Sequence, residues 1–305
     1  MKKYTNNIDK YNLHIQYALD NYYDHKFDIK SIDKIIILGG NYTKILASII
    51  SQYFLDKISI PIIIISDCKL PRYVNNNSLI ILLDYNSQKI IKYSYDNIIN
   101  RKLKKVIIIS HKNTFSNINN EFVLYFIPDS HLENDIFTGC FITYLYQIIF
   151  ELLKVYCKHE IESIKKYLSN IDNYYIESKE IYDSMYNLID SKYVVITDDI
   201  FLHVGNFFCC KINNFSYERR AFNTNILESI SEYKNIIYHT MNTNYIILNS
   251  RFNIYYNEIF GNIKKNIKQT NNKIINIIIK NNTLYDIYHT LYKLDWVSEH
   301  IINNK

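Results

Sequence analysis

Among the five glycines, only Gly39 and Gly40 stand together, and they directly follow the apolar run Ile35-Ile36-Ile37-Leu38. They precede Asn41-Tyr42-Thr43-Lys44, the start of a segment with helical spacing. Glycines at a strand-to-helix turn let backbone N–H groups and a helix N-terminus meet a ligand outside the carboxyl end of a strand, and both favour an anion. The spacing is neither the dinucleotide-binding G-x-G-x-x-G nor a P-loop, so a plain tight turn explains the pair as well as a phosphate cradle does. A second turn, Leu83-Asp84-Tyr85-Asn86-Ser87-Gln88-Lys89, offers hydroxyl, amide and ammonium donors within a few residues. Such donors suit a phosphate. Asp84, Asn86 and Ser87 are also ordinary helix-capping residues, and the Asp84 carboxylate opposes an anion.

These turns need strands before them and helices after them. Lys34–Leu38, Ile60–Ser66, Leu79–Leu83, Lys105–Ser110 and Phe122–Ile127 are short Ile/Val-rich runs without polar alternation. Strands covered on both faces read this way, and such strands build parallel sheets. Between them, Tyr42–Leu55 places Ile45, Ile49 and Tyr53 on one helical face, and Gln88–Leu103 does the same with Ile91, Tyr95, Ile98 and Ile99. This is the βαβ rhythm of a doubly wound sheet. Helix is expected from Ile136 to about Tyr167 and again over Glu177–Asp190. The strand rhythm then restarts with Tyr193–Thr197, Phe207–Ile212, Asn235–His239, Tyr245–Asn249 and Lys273–Ile279, and Leu284–Ile301 closes the chain as an amphipathic helix. The repeated rhythm predicts two similar α/β lobes, residues 1–155 and 156–305, consistent with a chain of 305 residues at about 100–200 per domain.

Composition excludes several function classes. A net charge of +5 is mild and has no concentrated basic stripe, so nucleic acid is not an expected partner. The field still suits an anionic small molecule. The 30 tyrosines reflect a bias of the whole sequence, which is also rich in Ile, Asn and Lys. Cys68, Cys140, Cys157, Cys209 and Cys210 are odd in number and form no C-x-x-C. They read as reduced core residues, with Cys209 and Cys210 on opposite faces of a strand. No His, Asp and Glu cluster has metal spacing. Met1–Asp20 lacks the apolar core of a signal peptide, and Phe141–Tyr156 is too short and polar to span a bilayer. A cytoplasmic protein with no membrane partner is expected.

Read together, these segments resemble the sugar isomerase (SIS) domain proteins of the bifunctional phosphoglucose/phosphomannose isomerase family. Gly39-Gly40 falls on the two central glycines of that family's GMGGSG turn. Lys69-Leu70-Pro71 through Leu79 is similar to its Tyr-x-Leu-Pro … Leu segment, and Tyr85 falls on the Tyr of its SYSGNT turn. Leu291-Tyr292-Lys293-Leu294-Asp295-Trp296-Val297-Ser298 is similar to its closing Leu-x-x-Leu-x-Asp-Tyr-x-Ser helix. The resemblance implies two SIS-like lobes, each a parallel sheet between helices in a three-layer α/β/α, flavodoxin-like arrangement. It also implies a phosphorylated sugar as ligand, a homodimer, no cofactor and no metal. The implied reaction interconverts glucose 6-phosphate or mannose 6-phosphate with fructose 6-phosphate. Gly39, Gly40, Asn41, Ser87 and Lys89 would hold the phosphate. The family's catalytic Glu falls on Asn214, and a shifted alignment offers Glu218 as the base that moves a proton between C1 and C2. His239 would open the ring, since the family's histidine falls on Ser231. Residue type alone reads Glu218 first as a partner for Arg219, Arg220 or a nearby lysine, and His239, like His203 and His131, first as a structural histidine. The departures at both phosphate turns and both catalytic positions also admit an inactive SIS paralogue, a ligand-sensing or structural dimer subunit.

Overall fold

A computed structural model describes residues 2–23, 27, 29–66, 69–85, 89–111, 121–128, 138–152, 158–185, 191–214, 221–225, 242–250, 254–268 and 272–303. The chain divides into two compact units, Met1–Cys157 and Lys158–Lys305.

In the first unit, β1 (Lys34–Gly39), β2 (Ile62–Ile65), β3 (Ser78–Leu83), β4 (Val106–Ser110) and β5 (Val123–Phe126) form one parallel sheet. Its order is β2-β1-β3-β4-β5. The central runs are apolar at every position because both faces are covered. Ile35–Ile37 and Leu79–Leu83 are fully buried. One face carries α3 (Lys89–Asn100), whose Ile91, Tyr95 and Ile98 pack on Ile36, Ile80 and Ile108, whereas Ile99, expected on the same face, is turned outward and 39% exposed. Also in this unit, α2 (Asn41–Phe54) meets α4 (Thr138–Leu152), and α4 meets α1 (Lys2–Asp20). Tyr53 and Phe54 set their rings against Tyr146 at 5.2 and 5.7 Å between centroids. Gly139 lets α1 approach α4: a Cβ there would lie 2.8 Å from Ile15 Cγ1 and 3.0 Å from the Tyr11 carbonyl. At the sheet's last strand the Tyr23 hydroxyl donates to the Leu124 carbonyl and accepts its N–H at 3.2 Å. That occupies edge groups otherwise open to another chain.

In the second unit, β6 (Lys192–Thr197), β7 (Ala221–Asn225), β8 (Thr243–Ser250) and β9 (Lys273–Ile279) form a parallel sheet of order β7-β6-β8-β9. Val194, Ile196, Tyr245 and Ile247 pack under Phe260, Ile263 and Ile267 of α8 (Ile254–Lys268). Helices α5 (Lys158–Leu168), α6 (Ile171–Asp183) and α7 (Leu202–Asn214) each contact α9 (Leu284–Asn303).

Two expectations are corrected here. Phe207–Ile212 is not a strand but the middle of α7. Val204, Phe207, Phe208 and Ile212 are buried at helical spacing while Asn206, Cys210 and Asn213 are partly exposed. Cys209 and Cys210 therefore sit on a helix, and Cys210 is only half-buried rather than a core residue. The next strand is instead β7, which Asn213 anchors through its side chain to both the N–H (2.9 Å) and the carbonyl (2.8 Å) of Ala221. The strand expected at Asn235–His239 lies outside the described residues, as do Cys68 and Cys157.

The α6–α9 contact carries a titrating group. His289 Nε2 lies 3.2 Å from the Glu177 carboxylate, which also binds Lys293. The Tyr174 and Tyr285 rings flank the imidazole. Burial pushes the His289 pKa down to about 4, and the Lys293 ammonium pushes the same way against the pull of Glu177. An unfolded histidine titrates near 6.5. As pH falls from about 6.5 to 4, the unfolded chain takes up this proton and the folded chain does not, so folding stability drops by up to about 3 kcal/mol. For Glu177, burial alone would raise the pKa, but its bonds to Lys293 and His289 outweigh that and lower it. Its contribution is thus lost only below its unfolded pKa of about 4.3. His289→Gln is expected to flatten the stability decline between pH 6.5 and 4.5, read as urea midpoints. An acid limb unchanged by the substitution would remove His289 from the account.

Candidate functional site

Strand order places the site. In a doubly wound sheet of order 2-1-3-4-5, connections leave β1 and β3 in opposite directions, and a crevice opens between their carboxyl ends. Gly39 and Leu83 are register partners at those ends, so the Gly39-Gly40 and Asp84-Tyr85 turns stand side by side. Helix α2 starts at Asn41 and α3 at Lys89, so the N-termini of both begin at this end. First-turn N–H groups and the partial positive charge there favour an anion.

The glycines serve close approach, not unusual dihedrals. Gly40 is extended at φ −106°, ψ 153°. Its carbonyl accepts the Thr43 N–H at 3.1 Å and the Thr43 hydroxyl at 2.9 Å, which winds the first turn of α2 tightly against the strand. A Cβ on Gly39 would lie 2.7 Å from Thr43 Oγ1 and 3.1 Å from the Lys44 backbone nitrogen. No side chain fits there unless that turn shifts. The Asp84 N–H is held by the Ile109 carbonyl at 2.9 Å, and Asp84 is fully buried.

Of the expected phosphate-binding residues, the structure thus brings Gly39, Gly40 and the backbone of Asn41 to one edge, with Lys89 opening the helix beyond the neighbouring strand. Ser87, Glu218 and His239 lie outside the described residues, as do His131 and the side chains of Asn41 and Lys89. Asn214 is the exposed last residue of α7, its amide 3.7 Å from Cys210 Sγ, and His203 is half-buried in that helix's first turn. Lys44 was not singled out from the sequence. Its Nζ lies 3.3 Å from Ser66 Oγ, which brings an exposed cation to the end of β2, beside β1. The available signal was its place in the first turn after the glycine pair.

No family model matches the sequence and no curated protein does. Solved structures do. Glucosamine-6-phosphate deaminase from Thermotoga maritima superposes with a TM-score of 0.76 at 12% identity, over 99% of this chain and 94% of that one. The C-terminal domain of glucosamine-fructose-6-phosphate aminotransferase from Francisella tularensis gives 0.74 at 10%, over 97% and 94%. Tagatose-6-phosphate ketose/aldose isomerase from Escherichia coli gives 0.64 at 10%, over 99% and 89%. At such identities the likeness establishes the fold. The chain has an SIS-like α/β fold, with two parallel sheets flanked by helices. None of its described helices is long and apolar enough to cross a membrane.

Proposed function

We propose that this protein binds a phosphorylated sugar at the carboxyl ends of β1 and β3 and interconverts an aldose and a ketose phosphate. The preferred pair is fructose 6-phosphate with glucose 6-phosphate or mannose 6-phosphate. The observation that carries the reading is the Gly39–Leu83 register, which joins the two donor-bearing turns at the switch point of the sheet. The names of three structural neighbours, each a protein of a sugar 6-phosphate, support the ligand class. Gly39, Gly40 and Asn41 offer backbone donors to the phosphate, and Ser87 and Lys89 a hydroxyl and an ammonium. Glu218 moves the proton between C1 and C2, and His239 opens the ring. The chemistry needs no cofactor. A cytoplasmic homodimer is part of the same reading.

Binding is tested by thermal unfolding. A ligand of the folded state raises the midpoint by an amount set by its concentration over Kd. Fructose 6-phosphate or mannose 6-phosphate at about 100 times Kd is expected to add roughly 2.7 kcal/mol, while unphosphorylated fructose at the same concentration adds nothing. No shift with any sugar phosphate would overturn the reading. A shift without turnover in a coupled isomerase assay would leave binding and remove the reaction.

A further inference from the structure

Two tyrosines of different standing hold the outer edge of β5. The Ile127 N–H turns inward to the Ser110 carbonyl at 3.0 Å. The alternate residues Leu124 and Phe126 direct backbone groups outward, each to a tyrosine hydroxyl. The Phe126 carbonyl accepts the Tyr144 hydroxyl at 3.1 Å, and the Leu124 N–H and carbonyl both engage the Tyr23 hydroxyl. Tyr144 is fully buried in the middle of α4, so its hydroxyl is fixed. Tyr23 follows the end of α1 and is 50% exposed.

Contacts that do not involve the Tyr23 hydroxyl seat this segment. The Tyr125 hydroxyl donates to the Tyr23 carbonyl at 2.6 Å, and the Tyr23 and Tyr125 rings lie 4.9 Å apart. Tyr22 stacks on Tyr125 at 5.3 Å and donates to the Glu151 carboxylate of α4. The hydroxyl is thus free to serve the strand edge alone.

The strand beneath lacks the usual protections of an edge. Val123-Leu124-Tyr125-Phe126 has no charge and no proline, and all but Tyr125 are half-exposed. Natural edges are blunted by charged side chains, prolines or bulges, because an apolar strand with open N–H and C=O groups pairs with another strand. A hydroxyl that donates and accepts at once fills both groups of Leu124. The same edge of a second copy is the occupant that fits an opened β5. Two copies related by a two-fold axis pair antiparallel, each presenting the Leu124 N–H and carbonyl to the other. We infer that Tyr23 is a latch whose hydroxyl keeps β5 from pairing with the β5 of a second copy of this chain.

Tyr23→Phe keeps the ring and every contact that seats it, and removes only the hydroxyl. At the lowest workable concentration of the whole chain, the Leu124 amide is expected to exchange with solvent about tenfold faster in Tyr23→Phe than in the wild type. Sedimentation velocity from about 1 to 100 µM is expected to show an association step that the wild type lacks, added to whatever state the wild type holds. Adding Val123→Lys, which puts a charge on the edge strand, is expected to abolish that step while the Leu124 amide stays fast. A wild-type Leu124 amide that already exchanges at the free-chain rate would overturn the inference without any variant. So would Tyr23→Phe with unchanged exchange or unchanged sedimentation, or an association that persists with Val123→Lys. The measurements involve no sugar phosphate, so their outcome is separate from that of the proposed function.

Discussion

Lys211→Ala is expected to destabilise the second unit by about 3–5 kcal/mol, the range for removing one partner of a buried ion pair. The Lys211 side chain is 6% exposed and runs from α7 to α9, where Nζ binds Asp295 and lies 3.2 Å from Glu299. Burial alone would lower its pKa, but the carboxylates of Asp295 and Glu299 outweigh it and hold the ammonium well above the ordinary lysine value. A lysine whose pKa is raised on folding contributes stability that is complete below its unfolded pKa, about 10.4, and is lost only as pH rises beyond it. The loss in Lys211→Ala is therefore expected to be the same at pH 6 and pH 9. Truncation also removes the ammonium 6.0 Å from the Phe207 ring centroid and leaves Asp295, 16% exposed, without a cation. Lys211→Met keeps the volume, so its cost isolates the stranded carboxylates. Adding Asp295→Leu to Lys211→Met is expected to recover much of it, because a buried ion pair replaced whole by apolar groups is often neutral. Trp296, the one tryptophan of the chain, sits in α9 beside Asp295 and reports urea unfolding of this unit by fluorescence. A loss below about 1 kcal/mol in Lys211→Ala would show that the triad is solvated in solution, as exposed pairs are.

The same triad shows why parts of the second unit were hidden in the sequence. Burying a lysine contradicts the usual rule for that residue, and only the spacing of Asp295 and Glu299 one turn apart on α9 hinted at a receiver. Phe207–Ile212 reads as strand because Phe and Ile favour strands, and a short apolar run does not by itself decide between strand and helix. Period decides it: Val204, Phe207, Phe208 and Ile212 recur at helical spacing once the window reaches back to Leu202. The true strand, Ala221-Phe222-Asn223-Thr224-Asn225, was masked by its asparagines. Asn223 faces α7, where its amide donates to the Leu202 carbonyl at 2.7 Å and to Asn206 Oδ1 at 2.9 Å. Polar residues enter a strand when a neighbour supplies their hydrogen bonds, and no local pattern reports that neighbour. By contrast β1, β3 and β4 were legible because double-sided burial writes itself as unbroken Ile, Leu and Val. The first crevice was legible for the same reason. A glycine pair ending such a run marks both the strand end and the close helix start, and strand order then supplies the neighbour.

On the proposed isomerase reading, Glu218→Gln is expected to lower kcat by about 10²–10⁴-fold, the usual contribution of a positioned general base. The amide is isosteric and accepts a hydrogen bond but takes no proton. KM is expected to change little, because the loss falls on the transition state alone. Isomerisation through an enediol lets the abstracted proton exchange with solvent, so turnover in D2O places deuterium on the recovered sugar, and Glu218→Gln is expected to lose that label in parallel with rate. His239→Gln is expected to cost less, since hexose 6-phosphates also open without help, and its deficit is expected to shrink on substrates held in the open-chain form. The competing role for Glu218 is an ion pair with Arg219 or Arg220 in the same tetrapeptide. That role predicts a fall in melting temperature and a rise in KM with kcat retained. Turnover and deuterium exchange that survive Glu218→Gln would remove this base while leaving the phosphate site, defined by Gly39 and its register partner Leu83, to be judged by binding.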